Sequence, residues 1–174
     1  NLAGISSRQK LRFRWYGEAS DRVEGQLEWK CRDNSLGSKD VLKLDPIQVL
    51  GATRRSFVRD LFDRVPAIWQ QRLRGRVPAQ WIRYRRDYYG SASGDLRITV
   101  DRDLRAFDQR FDYVLKDLRP TPLPALLIVE VKAAAEHRDA IEEWLQGVRL
   151  RPSKCSKFVL ASQPGDGPEP SVFG

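Results

Sequence analysis

The chain has no methionine, one histidine, His137, and two cysteines, Cys31 and Cys155. The cysteines form no CxxC pair, so a zinc finger or a histidine-rich metal site has no donors to build from. A serine or cysteine nucleophile would have to use His137 as its base, and that residue lies in "AAAEHRDAIEEW", which reads as an exposed helix start. No apolar run approaches the ~18 residues of a membrane span, and the opening residues do not read as a signal peptide. Two separated cysteines suit a reducing compartment, so a cytoplasmic location is expected. The missing Met, with a strong strand inside the first residues, reads as a piece or a processed product of something longer.

What the chain has in surplus is positive charge. Its 174 residues hold 31 Lys and Arg against 23 Asp and Glu, a net charge of +8. The length suits one domain with a real core, and 41% apolar residues place it among globular chains. A cationic surplus favours a polyanionic partner: nucleic acid, anionic lipid or a phosphorylated ligand.

The charge is patterned. In "RQKLRFRWYG" Lys10, Arg12 and Arg14 fall on one parity, while Leu11, Phe13 and Trp15 fall on the other. Successive strand side chains point to opposite faces, so this is a strand with a cationic face and an apolar face. After the polar turn "GEASDRVE", "GQLEWKCRD" repeats the design: Gln26, Glu28, Lys30 and Arg32 oppose Leu27, Trp29 and Cys31. The two read as an antiparallel hairpin. "DPIQVLGATRRSFVRDLFDRVPAIWQQRL", from about Asp45 to Leu73, is helical in character, with Asp45 as cap, Pro46 at the first helical position and a break at Pro66. Its stripe of Phe57, Leu61, Phe62 and Val65 reads as packing against the sheet.

Further strands are expected in "QWIRYRRDYYG", in "DLRITVD" after a glycine-serine turn, and in "LLIVEVK" after a proline-rich loop. An amphipathic helix follows from about Glu136 to Val148; "RPSKCSKFVLA" reads as a last strand, and the tail from 162 to 174 as flexible. Arg97 and Asp101, then Glu130 and Lys132, continue the charged parity, with Arg83, Arg85 and Arg86 beside them.

Two architectures account for such faces. One is a half-open sheet whose charged side meets water. The other is a barrel with the charged sides inward, which is sensible only around a polyanion, because unpaired buried charges cost several kcal/mol each. Glu28, Asp101 and Glu130 would then either hold a divalent cation or orient the basic groups. Nucleic acid is disfavoured, because Phe13, Trp15 and Trp29 lie on the parity opposite the arginines and offer no stacking platform beside them.

"LAGISSRQKLRFRWYGE", "LEWKCR", "YRRDYYG…GDLRITVDRDLR", "LLIVEVK" and "RPSKCSKFVLA" occur in the order and approximate spacing of a known family. Over residues 2–161 the chain resembles the VTC (vacuolar transporter chaperone) domain, the polyphosphate polymerase branch of the CYTH-like triphosphate tunnel metalloenzymes. The resemblance implies an α+β fold, an antiparallel β-barrel tunnel of about eight strands with helices packed outside. It implies transfer of the ATP γ-phosphoryl group to polyphosphate, assisted by Mn²⁺ or Mg²⁺. By motif position it implies catalytic roles for Arg12, Arg14, Lys30, Arg97 and Lys157. Lys10, Arg32, Arg86, Lys132 and Ser156 would bind substrate, and Glu130 would bind the metal. The family's opening strand, with glutamates and a basic residue, has no counterpart before "LAGISSRQKLR", so an incomplete wall, or completion by other residues or subunits, is expected. Hydrolysis of tripolyphosphate or thiamine triphosphate, and polyphosphate binding without turnover, are the alternatives.

Overall fold

The computed structural model describes residues 7–33, 36–148, 151–153 and 155–162. The chain forms two compact units, Asn1–Ala79 with Phe111–Lys116, and Gln80–Arg110 with Asp117–Gly174.

In the first unit, β1 (Ser7–Trp15), β2 (Arg22–Asp33) and β3 (Leu36–Gln48) form an antiparallel sheet in that order. Register sets Leu11 opposite Trp29 and Phe13 opposite Leu27, which merges the apolar parities into one face. The same register sets Arg12 opposite Glu28 and Lys10 opposite Lys30 on the other face. Helices α1 (Arg54–Arg64) and α2 (Ala67–Leu73) cover the apolar side. There the Phe57 ring meets Phe13 edge-on at 5.6 Å, and the Arg72 guanidinium lies 5.4 Å from the Trp29 ring and 4.8 Å from the Trp69 ring. Phe57, Leu61 and Val65 are buried as their spacing required, while Phe62 of the same stripe is half-buried. Gly25 permits a close approach: a methyl group there would sit 2.5 Å from the Phe13 ring.

The helix begins later than the sequence pattern suggested. Asp45 and Pro46 belong to β3, and Thr53 is the N-cap, its hydroxyl accepting from the Ser56 N–H at 2.9 Å. Pro46 suits β3 because an edge strand leaves one side of its backbone unpaired. Its carbonyl accepts from Arg22 Nη2 at 2.6 Å.

In the second unit, β4 (Gln80–Gly90), β5 (Leu96–Asp108) and β6 (Ile128–Ala133) form an antiparallel sheet with β5 central. The turn between β4 and β5 uses Gly94 at φ +81°, and Ser91 Oγ accepts from the Leu96 N–H at 3.0 Å. Asp103 adopts φ +54° where the β4–β5 register shifts, so the pairing passes from Arg85 with Arg102 to Arg83 with Arg105. A 3-10 turn at Ala135–His137 leads into α3 (Arg138–Val148), as the amphipathic pattern predicted. His137 is exposed beside Asp95, at 3.4 Å.

Two further expectations are corrected. "RPSKCSKFVLA" does not supply a strand: Lys157–Ser162 is a short helix, α4, opened by Leu160 N–H donating to the Ser156 carbonyl at 2.9 Å and buried through Ala161. Local i to i+4 bonds win here over the apolar run "FVLA". Nor do the described residues form a closed barrel. A barrel needs every strand paired on both sides, and β1, β3, β4 and β6 each pair on one side within two separate sheets. The α+β class holds; of the tail read as flexible, 162–174, Ser162 belongs to α4 and residues 163–174 lie outside the described residues. Among the described residues no helix is long and apolar enough to cross a membrane.

Candidate functional site

Each sheet presents a basic cluster organised by one buried carboxylate. On the first, Glu28 is 2% exposed at the centre of β2. It accepts from Arg12 Nε at 3.0 Å and from Arg12 Nη2, from Gln26 at 2.8 Å and from Lys39 at 3.1 Å, with Arg14 Nη1 at 3.5 Å. Burial alone would push its pKa up, but the Arg12, Lys39 and Gln26 bonds prevail and hold it at about 2, down from 4.5. With its oxygens committed to cations and amides, Glu28 orients basic side chains and has no lone pairs left for a metal ion.

Around this anchor the sheet juxtaposes like charges. Lys10 stands opposite Lys30, and Lys30 opposite Lys39, so three lysines cross the sheet in one row; Arg8 stands opposite Arg32 in the next. Directly opposed like charges destabilise a sheet. Lys30, Arg32 and Lys39, with Gly37 and Ser38, line a cavity of about 340 Å³. Such a row has a physical reason if an anion lies along it.

The second sheet repeats the arrangement. Asp101, 1% exposed in β5, is gripped by Arg86 with Nε at 2.5 Å and Nη2 at 2.7 Å, and by Lys157 from α4. Burial opposes ionisation of Asp101, and the Arg86 and Lys157 bonds override it, leaving the pKa below the usual range. Arg86 is correspondingly raised by its bond to Asp101. The Tyr84 ring lies 5.3 Å from the Arg86 guanidinium and 4.7 Å from Lys157 Nζ, holding both cations by their faces. Arg86 pairs with Asp101 in register, Thr99 with Glu130, and Arg97 with Lys132, so all six lie on one face. Arg97 and Lys132 are again like charges directly opposed, and Arg97 is exposed.

Glu130 differs from the two buried carboxylates. It is 44% exposed, 2.9 Å from Lys132 and 4.0 Å from Arg86 Nη2. Burial raises its pKa, while Lys132 and then the other cations lower it further than burial raises it. Among the described residues no three Asp, Glu, His or Cys side chains gather where a metal could sit. Of the three carboxylates Glu130 alone is accessible, whereas Glu28 and Asp101 are buried and bonded to cations.

The sequence-derived residues therefore resolve into two groups. Lys10, Arg12, Arg14, Lys30 and Arg32 share the charged face of the first sheet. Arg86, Arg97, Glu130, Lys132 and Lys157 gather in the second unit, with Ser156 exposed immediately before α4. Arg86 sits at the centre of its cluster. Arg83 instead faces Asp117 at 3.4 Å and Arg85 faces Asp103 at 3.7 Å. Sequence reasoning missed Lys39; the shared parity of Lys39 and Lys43, opposed to Leu42 and Leu44 in "SKDVLKL", was the available signal.

A family model described as the VTC domain matches residues 1–163. The chain belongs to the VTC domain family. This family is associated with polyphosphate synthesis and includes polyphosphate polymerase catalytic domains, so handling of ATP and polyphosphate is its common theme. No curated protein and no solved structure matches the chain. The five motifs of this VTC domain fall on β1, β2, the β4–β5 hairpin, β6 and the approach to α4, which are the elements carrying the two clusters.

Proposed function

We propose that this VTC domain is a polyphosphate polymerase-type phosphotransferase that moves the γ-phosphoryl group of ATP onto the end of a polyphosphate chain. The bond between the γ-phosphorus and the β–γ bridging oxygen breaks, a bond from the acceptor's terminal oxygen forms, and the bridging oxygen leaves with ADP. The acceptor oxygen is already ionised, so no side chain has to remove a proton, which suits a chain whose one histidine lies at a helix start beside Asp95. Phosphoryl transfer passes through a loose transition state and is accelerated mainly by positioning and charge stabilisation.

Arg12, Arg14 and Lys30, and Arg86, Arg97 and Lys157, neutralise and align phosphate oxygens, the arginines through bidentate forks. Lys10, Arg32 and Lys132 bind along the chain, and Ser156 with Lys157 grips the product-side chain or the leaving diphosphate. Glu130 would hold Mn²⁺ or Mg²⁺, which when bound neutralises charge across phosphate oxygens.

The observation that carries this reading is the pair of opposed like-charge rows, Lys10–Lys30–Lys39 and Arg97–Lys132, in which Lys39 bonds Glu28 and Lys132 bonds Glu130. The test supplies ATP and tripolyphosphate separately, with Mn²⁺, and separates polymer from free phosphate. Polymer formed from ATP supports the reading. Free phosphate from tripolyphosphate without polymer makes the chain a hydrolase, and tight polyphosphate binding without ATP consumption makes it a binding module.

A further inference from the structure

Within the first unit, α1 covers the apolar face of the sheet, so its outer side lies away from the charged face of that sheet. That outer side holds a cavity of about 620 Å³, within the size range of small-molecule sites. Its lining is largely apolar, from Val58, Phe62 and Val77 with the stems of Arg54, Arg55 and Arg59, and no acidic side chain contributes. Tyr113 closes one side; its backbone is fixed by its carbonyl accepting from the Arg54 N–H at 3.1 Å, while the residue stays 76% exposed.

The arginines are poorly placed for stability. The first turn of α1 has no acidic residue, and Arg55 and Arg59 stand one turn apart, where like charges repel. Among the described residues Arg55 and Arg59 make no ion pair. An anion in the cavity removes that repulsion. A bare phosphate polymer leaves the apolar lining and the phenol ring uncovered, whereas a planar base stacks on an aromatic ring or a guanidinium plane.

We propose that this cavity is a nucleoside polyphosphate site, with the base against Phe62 and Tyr113 and the phosphates on Arg54, Arg55 and Arg59. It takes no part in the phosphoryl transfer proposed above, and neither reading depends on the other.

Photolabelling of the 174-residue chain with 8-azido-ATP, followed by peptide mapping, tests it. The adduct is expected on peptides spanning 54–62 or 111–116, competed by ATP and not by tripolyphosphate. In Arg55→Ala/Arg59→Ala, labelling there is expected to fall by about tenfold or more. Arg55→Glu alone, at an exposed position, serves if the double variant melts early. Arg14→Ala is expected to leave this adduct unchanged. Labelling only on other peptides, labelling unaffected by the arginine substitutions, or equal competition by tripolyphosphate would overturn the proposal.

Discussion

Arg86 and Asp101 face each other across β4 and β5 as a two-pronged pair, at 2.5 Å and 2.7 Å, with Asp101 all but sealed from solvent. The same carboxylate receives Lys157 from α4, so one acid sets the position of two cations on two elements. Asp101→Asn keeps the shape and removes the charge. Stability is expected to drop by about 3 kcal/mol, since breaking a buried pair leaves its partners uncompensated. Polymer synthesis is expected to fall by about 10²-fold, the scale of one misplaced preorganised donor. Thermal melts and ATP-driven synthesis, read together, check both.

Arg86→Lys separates charge from geometry. Lysine keeps a positive charge but cannot make two parallel bonds to one carboxylate. The fold is expected to survive with ~1 kcal/mol of loss, while synthesis falls by about tenfold or more. Equal activity would mean that only net charge matters at this position.

Glu28 makes stability depend on pH in a defined direction. Its folded pKa of about 2 lies below the ordinary 4.5, so its contribution is fully present above pH 4.5 and is lost as pH falls through about 2. Denaturant melts across that window should show a fall in stability that Glu28→Gln reduces, with the variant also weaker at neutral pH. A variant with the same acid slope as the parent would show that Glu28 is not the group responsible.

Much of this was legible in the residues. Period-two alternation located β1 and β2 and assigned the faces, because a two-residue period leaves no freedom once one side is buried. The Pro46 signal misled, since proline is acceptable both at a helix start and on an edge strand, and only sheet order decides between them. "KFVLA" misled because apolarity does not distinguish a short helix from a strand, and Lys157 on that helix reaches Asp101, a residue far away in sequence. For the same reason the sequence left open whether Glu28 and Asp101 bind metal or orient cations; pairing partners answer that, and composition does not.

Thr53→Ala probes the corrected helix start. The hydroxyl caps the Ser56 N–H at 2.9 Å, and its loss is expected to cost ~1 kcal/mol of stability with little effect on synthesis. If Asp45→Ala had that effect and Thr53→Ala had none, the boundary of α1 would be misplaced.

The central claim is that both charged sheet faces grip the same kind of polyanion. Calorimetric titration with tripolyphosphate, at two salt concentrations, tests it most directly in the parent, in Arg12→Ala/Arg14→Ala and in Arg97→Ala/Lys132→Ala. The account predicts salt-sensitive binding weakened by about tenfold or more in each double variant. Unchanged affinity in either variant would contradict it.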